Sequence, residues 1–540
     1  MMDWFTSEWL CLLMFLSTLG LLALGFPVAF TLAGSSILFA FIALGLGFID
    51  MGLLTSIPQQ IFAIMTSKVL VAVPPFVFMG VMLERSRIAE DLLENMGRAF
   101  GAKPGGLVFS VTIVGALLAA STGIVGATVV TMGLLSLPAM MRHNYDRPLA
   151  LGTIAASGTL GQIIPPSIVL ILLGDQLANA YTEANTAMGN FAADSVSVND
   201  LFAGALLPGL SLVGLYLAYQ FIIAWRWPEK TPPIPKEDLA EIEGPFWRHM
   251  LKILVAPLAL ILAVLGSILM GFASPSEVAA IGAIGATLLA AHRFSEKHAR
   301  LMILAAISFF ALVILSNLFT LRLDRTDVTL IDYIAFALAI LCTSLLAYGI
   351  WTAFRTCYTQ TSREGQPILE EVMRSTLQIS TMVFVILIGA SMFSMMFVGL
   401  HGDEVVERFL NDLPGGTLTA ILVVMLIMFI MGFFLDFLEI IFIVVPIVGP
   451  ILLQMEIAPG VTMSPVWLGV MMAINIQTSF LTPPFGFSLF YLRGVAPKEI
   501  KTLEIYKGAV PFVLIQLLML AILWQFPELA TWLPSQLYND

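Results

Sequence analysis

Two stretches of this chain set oxygen-bearing side chains beside a double proline. In "SGTLGQIIPPS" the hydroxyls of Ser157, Thr159 and Ser167 accompany Gly158, Pro165 and Pro166. In "NIQTSFLTPPFG" the residues Asn475, Gln477, Thr478, Ser479 and Thr482 lead into Pro483, Pro484 and Gly486. Proline removes a backbone donor and frees a carbonyl one turn earlier. Glycine lets the backbone leave helical geometry. Freed carbonyls with hydroxyls and amides form a set of hard oxygen ligands that suits Na+, and a helix restarting after such a break favours an anion at its N-terminus. The chemistry indicated is the binding of a cation beside an anionic solute.

Bond-making chemistry finds little support. The histidines His143, His249, His292, His298 and His401 all fall in predicted loops, which argues against an intramembrane protease or lipid transferase. Cys11, Cys342 and Cys357 are far apart, odd in number and without CxxC spacing, which argues against a zinc site or disulfide framework. No cofactor is implied. A channel should line several helices with polar residues, and this pattern is missing.

The elements that must position these residues are membrane helices. The chain of 540 residues is 59% apolar and only 11% charged, against about 25% charged in a soluble globule. Apolar runs of about 18 residues or more, long enough to cross a bilayer of roughly 30 Å, recur throughout. The short alternating segments of a β-barrel are absent. The expectation is an all-α polytopic membrane protein in contact with the lipid bilayer. The formal charge of −11, spread over loops, suggests no nucleic-acid partner. The start "MMDWFTSEWL" lacks a basic region, so the first apolar segment reads as a retained helix.

Lys and Arg near segment ends mark the cytoplasmic side. By that rule Leu107–Met140 has basic flanks at both ends, yet as one helix it would run about 50 Å. It reads as a re-entrant hairpin whose tip is Ser121, Thr122 and Gly123. Residues 417–453 form a second over-long run with mainly acidic flanks, hence a hairpin entering from the opposite side, with Asp436 and Glu439 near its middle. Non-helical backbone at such depth must be buried in protein or line a wet cavity.

The chain then divides in two. Residues 1–225 hold hairpin 1 (107–140) and a broken helix (148–174). Residues 226–252 form a cytoplasmic linker, and residues 253–540 hold extra spans (301–351), hairpin 2 (417–453) and a second broken helix (464–492). Segment 175–200, with Asp175, reads as an external loop, and a last helix is expected near 510–532. Pro165 and Pro483 lie 318 positions apart. Interrupted helices at matching places in two inverted halves point to a transport site near the midplane.

The ordered set "GFPVAF" (Gly25–Phe30), "STG" (Ser121–Gly123), "SGTLGQIIPPS", "PSEVAAIGA" (Pro275–Ala283), "FLDFLEIIFIVVPIVGP" (Phe434–Pro450) and "TPPFGFSLFYLRGVAP" (Thr482–Pro497) resembles the large membrane subunit of the TRAP (tripartite ATP-independent periplasmic) transporters, the DctM-like family. The resemblance covers both halves. It implies an elevator-type secondary transporter of the bacterial inner membrane, driven by a Na+ gradient. A soluble periplasmic binding protein would deliver an organic acid, commonly a carboxylate, and a small four-helix membrane subunit would brace the large one. It places the ion and solute region at Ser121, Thr122, Gly123, Ser157, Gly158, Thr159, Pro165 and Pro166, and at Asp436, Asn475, Gln477, Thr478, Ser479, Thr482, Pro483, Pro484 and Gly486. The chain departs from the family in three places. The first tip is poorer in Gly and Ser, Glu439 stands where a small residue is usual, and spans 301–351 look inserted. No four-helix unit is appended at either end, so a separate small subunit is expected. A stand-alone ion-coupled carboxylate carrier remains the alternative.

Some of these residues have plainer roles open to them. Small residues in membrane helices often serve close packing. Asp436 fits a cavity-facing acid or a cap on the hairpin's second arm, and Glu439 fits the site or a position snorkelling outward. Glu277, after Pro275, reads as an N-terminal cap. Residues 84–103 read as an amphipathic surface helix that could serve as an arm, and the Met-rich stretch before Leu400 as core.

Overall fold

The computed structural model describes residues 6–100, 103–123, 125–192, 195–235, 246–322, 329–362, 365–458 and 461–538. It is an all-α membrane protein, and among the described residues nine helices are long and apolar enough to cross a bilayer.

The N-terminal half begins with α1 (Ser7–Ala23) and α2 (Val28–Leu46). Two short helices, α3 (Met51–Thr55) and α4 (Ile57–Met65), lead to α5 (Val73–Arg85) through a 51° bend. Then come α6 (Ile88–Phe100), the hairpin pair α7 (Gly106–Thr122) and α8 (Val125–Arg142), the broken pair α9 (Arg147–Thr159) and α10 (Ile168–Ala187), and α11 (Val198–Arg226).

The C-terminal half runs α12 (Phe246–Leu269), α13 (Pro275–Phe294), α14 (Ala299–Leu318), α15 (Leu330–Thr359) and α16 (Ile368–Gly399). It continues with α17 (Gly402–Asn411), the hairpin pair α18 (Thr417–Met431) and α19 (Phe437–Gln454), a two-stranded ribbon of β1 (Glu456–Ala458) and β2 (Val461–Thr462), the broken pair α20 (Pro465–Leu481) and α21 (Phe487–Val495), α22 (Thr502–Gln525) and α23 (Glu528–Tyr538).

Local chemistry sets the boundaries. Ser274 and Glu277 form a capping box that starts α13 with Pro275 in its first turn, as expected for Glu277. Helix α7 stops at Gly123, whose φ of 61° suits glycine. The chain leaves α22 at Phe526 because a residue preceding proline disfavours the α region. The single last helix expected near 510–532 is therefore two helices, α22 and α23. Asp175 lies within α10, not in a loop, because "DQLANAYTEANTA" is rich in helix formers and the helix runs on. His249 and His292 likewise fall within α12 and α13, since a helix need not end where its apolar stretch ends.

The two halves interlock. Helix α2 packs on α16 and α5 on α13, while α9 packs on α22 and α11 on α20. At the α9–α22 crossing the backbones touch: a methyl group added to Gly152 would sit 2.0 Å from the Gly508 carbonyl oxygen. The Met-rich stretch of α16 is core in part, with Met392 and Met396 buried and Met382 exposed. Helix α6 buries a stripe of Ile88, Leu92 and Met96 against α7 and α12. Asp91 of α6 is held by Arg293 of α13, and α17 is tied to α1 by Arg408 and Glu8. Helices α14 and α15 pack mainly on each other, α13 and α16, and most of their apolar surface faces outward.

Candidate functional site

The site can be read along the two broken helices using the 318-residue offset. Six pairs of positions match in what they do.

Ser157 and its counterpart Asn475 each reach the first arm of their own hairpin. The Ser157 hydroxyl meets Thr112 Oγ1 of α7 at 3.5 Å, and Asn475 Nδ2 donates to the Met425 carbonyl of α18 at 2.8 Å. Thr159 and Gln477 meet each other: Gln477 Nε2 donates to Thr159 Oγ1 at 3.2 Å, joining the two halves where the broken helices cross. Gly161 and Ser479 touch the hairpin tips. A methyl group on Gly161 would lie 3.6 Å from Gly123 Cα, and one on Gly432, at the end of α18, would lie 2.1 Å from Ser479 Oγ. The carbonyls of Gln162 and Phe480 each accept a serine hydroxyl at 2.9 Å, from Ser167 and Ser488. Pro165-Pro166 and Pro483-Pro484 are both joined by cis bonds.

The helix ends and the interruption follow from these residues. Helix α9 tightens into a 3-10 turn at Leu160–Gln162 before the prolines end it. Helix α20 ends at Leu481, one residue before Thr482-Pro483. Gly486 starts α21 in a space where a side chain would meet the Phe480 carbonyl oxygen at 2.5 Å. Gly158 has no room either, with Val129 Cγ2 of α8 only 2.3 Å from an added methyl.

The hydroxyls share one arrangement. Thr159 donates to the Ala156 carbonyl, Thr478 to Ile474, Ser479 to Ile476 and Thr482 to Thr478, at 2.7–2.8 Å. A hydroxyl whose hydrogen is engaged by its own helix still carries oxygen lone pairs. These oxygens, with the Gln477 Oε1 that has no hydrogen-bond partner among the described residues, are acceptors suited to a small cation.

Asp436 takes the capping role. Its carboxylate accepts from the Phe437 N–H at 2.8 Å, and Glu439 Oε2 accepts from the Asp436 N–H at 3.1 Å. Both acids thus build the start of α19, and Glu439 is buried instead of snorkelling outward. Gly123 seats the first tip against the Ile168 N–H, 3.3 Å from where its methyl would be. Ser121 and Thr122 belong to the last turn of α7, and their side chains lie outside the described residues.

The sequence alone did not single out Thr112, Thr153 and Gln220. Gln220 Nε2 donates to Thr112 Oγ1 at 2.6 Å and to Thr153 Oγ1 at 3.3 Å, fastening α11 to hairpin 1 and α9. A polar residue at the centre of an apolar run, as Gln220 is in "LAYQFIIAW", was the available signal.

Several transporter permeases are similar to this chain along most of its length. The chain is 28% identical over 529 residues to the C4-dicarboxylate TRAP transporter large permease protein DctM of Vibrio cholerae, covering 97% of each chain. It is 23% identical to the ectoine TRAP transporter large permease protein TeaC of Halomonas elongata, over 96% of this chain and 98% of that one. It is 22% identical to the 2,3-diketo-L-gulonate TRAP transporter large permease protein YiaN of Escherichia coli, over 95% and 96%. The crystal structure of the Alcanivorax borkumensis YdaH transporter shares the fold, with a TM-score of 0.52 and 15% identity over 90% of this chain and 88% of that one. The family model for the tripartite ATP-independent periplasmic transporter DctM component matches residues 15–529, so this membrane protein, a transporter permease and not an enzyme, belongs to that family.

Proposed function

We propose that this chain is the permease through which a Na+ gradient drives uptake of an organic acid across the bacterial inner membrane. A soluble periplasmic binding protein delivers the acid, and a small four-helix membrane subunit braces the permease. The observation that carries this reading is the matched pair of breaks. Each break presses on the tip of its own hairpin, and the two are joined by the Gln477–Thr159 bond. An oxygen-rich crossing between two hairpins suits a cation and an anion bound together. The acceptors of Thr159, Gln477, Thr478, Ser479 and Thr482 favour Na+, and the N-terminus of α10 favours a carboxylate. The two halves, 1–225 and 253–540, act as inverted repeats, and the hairpins with the broken helices move as the elevator. The amphipathic helices α6 and α17 serve as its arms.

The test is uptake of a radiolabelled acid into proteoliposomes holding the permease and small subunit. Uptake that requires both the binding protein and an inward Na+ gradient is the expected result. Uptake undiminished without the binding protein would make this a stand-alone carrier. Uptake indifferent to Na+ would remove the coupling ion from the reading.

A further inference from the structure

Helix α11 ends in a corner that the broken helices do not use. Arg226 closes the helix, Trp227 follows it, and Pro228–Lys230 form a 3-10 turn. The Arg226 guanidinium carbon lies 5.4 Å from the centre of the Trp227 ring, and Lys230 Nζ lies 5.7 Å from the same centre. One ring thus holds two cations at a single spot. Both cations are exposed, and neither has a carboxylate partner among the described residues. A cation in the last turn of a helix suits its dipole, but Lys230 stands beyond the helix and draws no such benefit. On the stretch of helix just before this corner, Phe221, Ile222 and Trp225 are exposed, Trp225 at 77%.

Backbone bonds pin the corner to its neighbours. The Asp146 N–H donates to the Lys230 carbonyl at 2.9 Å, and the Gly105 N–H to the Thr231 carbonyl at 3.0 Å. Thr231 is fully buried. The linker is thereby laid across the starts of α9 and of hairpin 1, and Arg142 and Lys103 stand close along the chain to those two bonds. They too are exposed and without an acid partner among the described residues. The acids beside them are fewer: Asp146, which caps α9, and Glu229, while Glu504 answers Arg147. In a chain of formal charge −11, four unpaired cations at one end of these helices are a local reversal.

We propose that this corner is a binding site for an anionic phospholipid. Lys and Arg mark the cytoplasmic side, and Trp settles at the headgroup level, where anionic lipids enrich the cytoplasmic leaflet. The lipid phosphate lies between the Arg226 guanidinium, whose planar fork suits two phosphate oxygens, and the Lys230 ammonium. An acyl chain runs along Phe221, Ile222 and Trp225. Four cations beside two acids favour a headgroup of net negative charge over one that carries its own ammonium. Gln220 bonds α11 to Thr112 of hairpin 1 and Thr153 of α9, so the lipid is held by the body that carries the first break. The site is independent of which solute is carried.

The experiment is native mass spectrometry of the full-length permease, released from micelles that contain equal amounts of phosphatidylglycerol and phosphatidylethanolamine. The native protein should retain phosphatidylglycerol about tenfold more than phosphatidylethanolamine. Arg226→Gln with Lys230→Gln should bring the two lipids to equal retention. Lys297→Gln with Arg300→Gln, the same change of charge at exposed cations beside the start of α14, should keep the preference. If the first double variant does not fold, Lys230→Gln alone, on the exposed turn, should lower the preference about threefold. Equal retention of both lipids by the native protein overturns the inference, as does a preference that survives loss of both cations. An equal loss in the Lys297 and Arg300 pair would mean that total charge draws the lipid and not this corner, which also overturns it. Displacement of the lipid by millimolar inorganic phosphate would make this a phosphate site and overturns the lipid assignment.

Discussion

Hairpin 1 turns through Gly123 in a left-handed conformation, and its tip carries no charge. Hairpin 2 turns through Gly432–Asp436 and restarts on a reciprocal cap made by Asp436 and Glu439. The arms differ as well. Both arms of hairpin 1 pack on its broken helix, α7 and α8 on α9. In hairpin 2 the first arm α18 packs on α20, while the second arm α19 lies mainly on α10 and α16. The matched breaks are thus held by unlike hairpins: one gripped on both sides by close backbone contact, the other gripped on one side and fixed by acid capping.

The grip on hairpin 1 can be broken at Gly158. Its counterpart at the 318 offset is Ile476, which is buried without such a constraint. Gly158→Ile must push α8 from α9, since an added methyl already lies 3.2 Å from Val129 Cα. The expected loss is about 3 kcal/mol, the upper part of the range for overpacking. Ile476→Val should cost only about 1 kcal/mol. Thermal unfolding in detergent measures both. A Gly158→Ile protein as stable as the native one would show that α8 does not pack on α9 this closely.

The oxygen ligands come next in size. Thr478→Val and Thr159→Val should each raise the Na+ concentration for half-maximal uptake about tenfold, equivalent to about 1.4 kcal/mol. Thr159→Val also removes the acceptor of Gln477, so it should lose about 1 kcal/mol of stability that Thr478→Val keeps. Should the Na+ activation curve stay in place in both variants, the hydroxyls are not cation ligands.

Much of this was readable from residue types. The two Pro-Pro dipeptides, the over-long apolar runs and the "STG" turn marked places where helices end, near Gly123, Gln162, Gly432 and Leu481, because proline and glycine act on the backbone locally. What stayed hidden depends on neighbours distant in sequence. Nothing in "DFLE" alone decides between a cavity-facing acid and a cap, although its acid pair three residues apart fits a capping box. Gln477 meeting Thr159 requires two helices to cross, and the Gly152–Gly508 contact likewise follows from three-dimensional packing. Asp175 and the divided last helix were misread because hydropathy marks where a helix is apolar, not where it ends.

The acid cap of hairpin 2 separates charge from geometry. Asp436→Ala should cost about 1 kcal/mol, the usual loss at an N-cap, while Asp436→Ser keeps a capping oxygen and most of that stability. Uptake by the serine variant is then the informative measurement. Reduced uptake at native stability is expected if the carboxylate also serves the ion site. Full uptake would leave Asp436 as a cap alone.

The smallest effect tests whether the breaks are built alike. Ser167 and Ser488 approach from different places, one the N-cap of α10 and the other inside the first turn of α21, yet each gives its hydroxyl hydrogen to the matching carbonyl at 2.9 Å. Both serines are fully buried, so water cannot replace either bond without entering the core. Ser167→Ala and Ser488→Ala should therefore each lose about 1 kcal/mol, the net value of one hydrogen bond, and differ from each other by no more than about 0.5 kcal/mol, the additivity error for separate sites. A loss confined to Ser488→Ala would mean that the Gln162 carbonyl finds another partner. The two breaks would then match in shape while being stabilised by different bonds, as the two hairpins are.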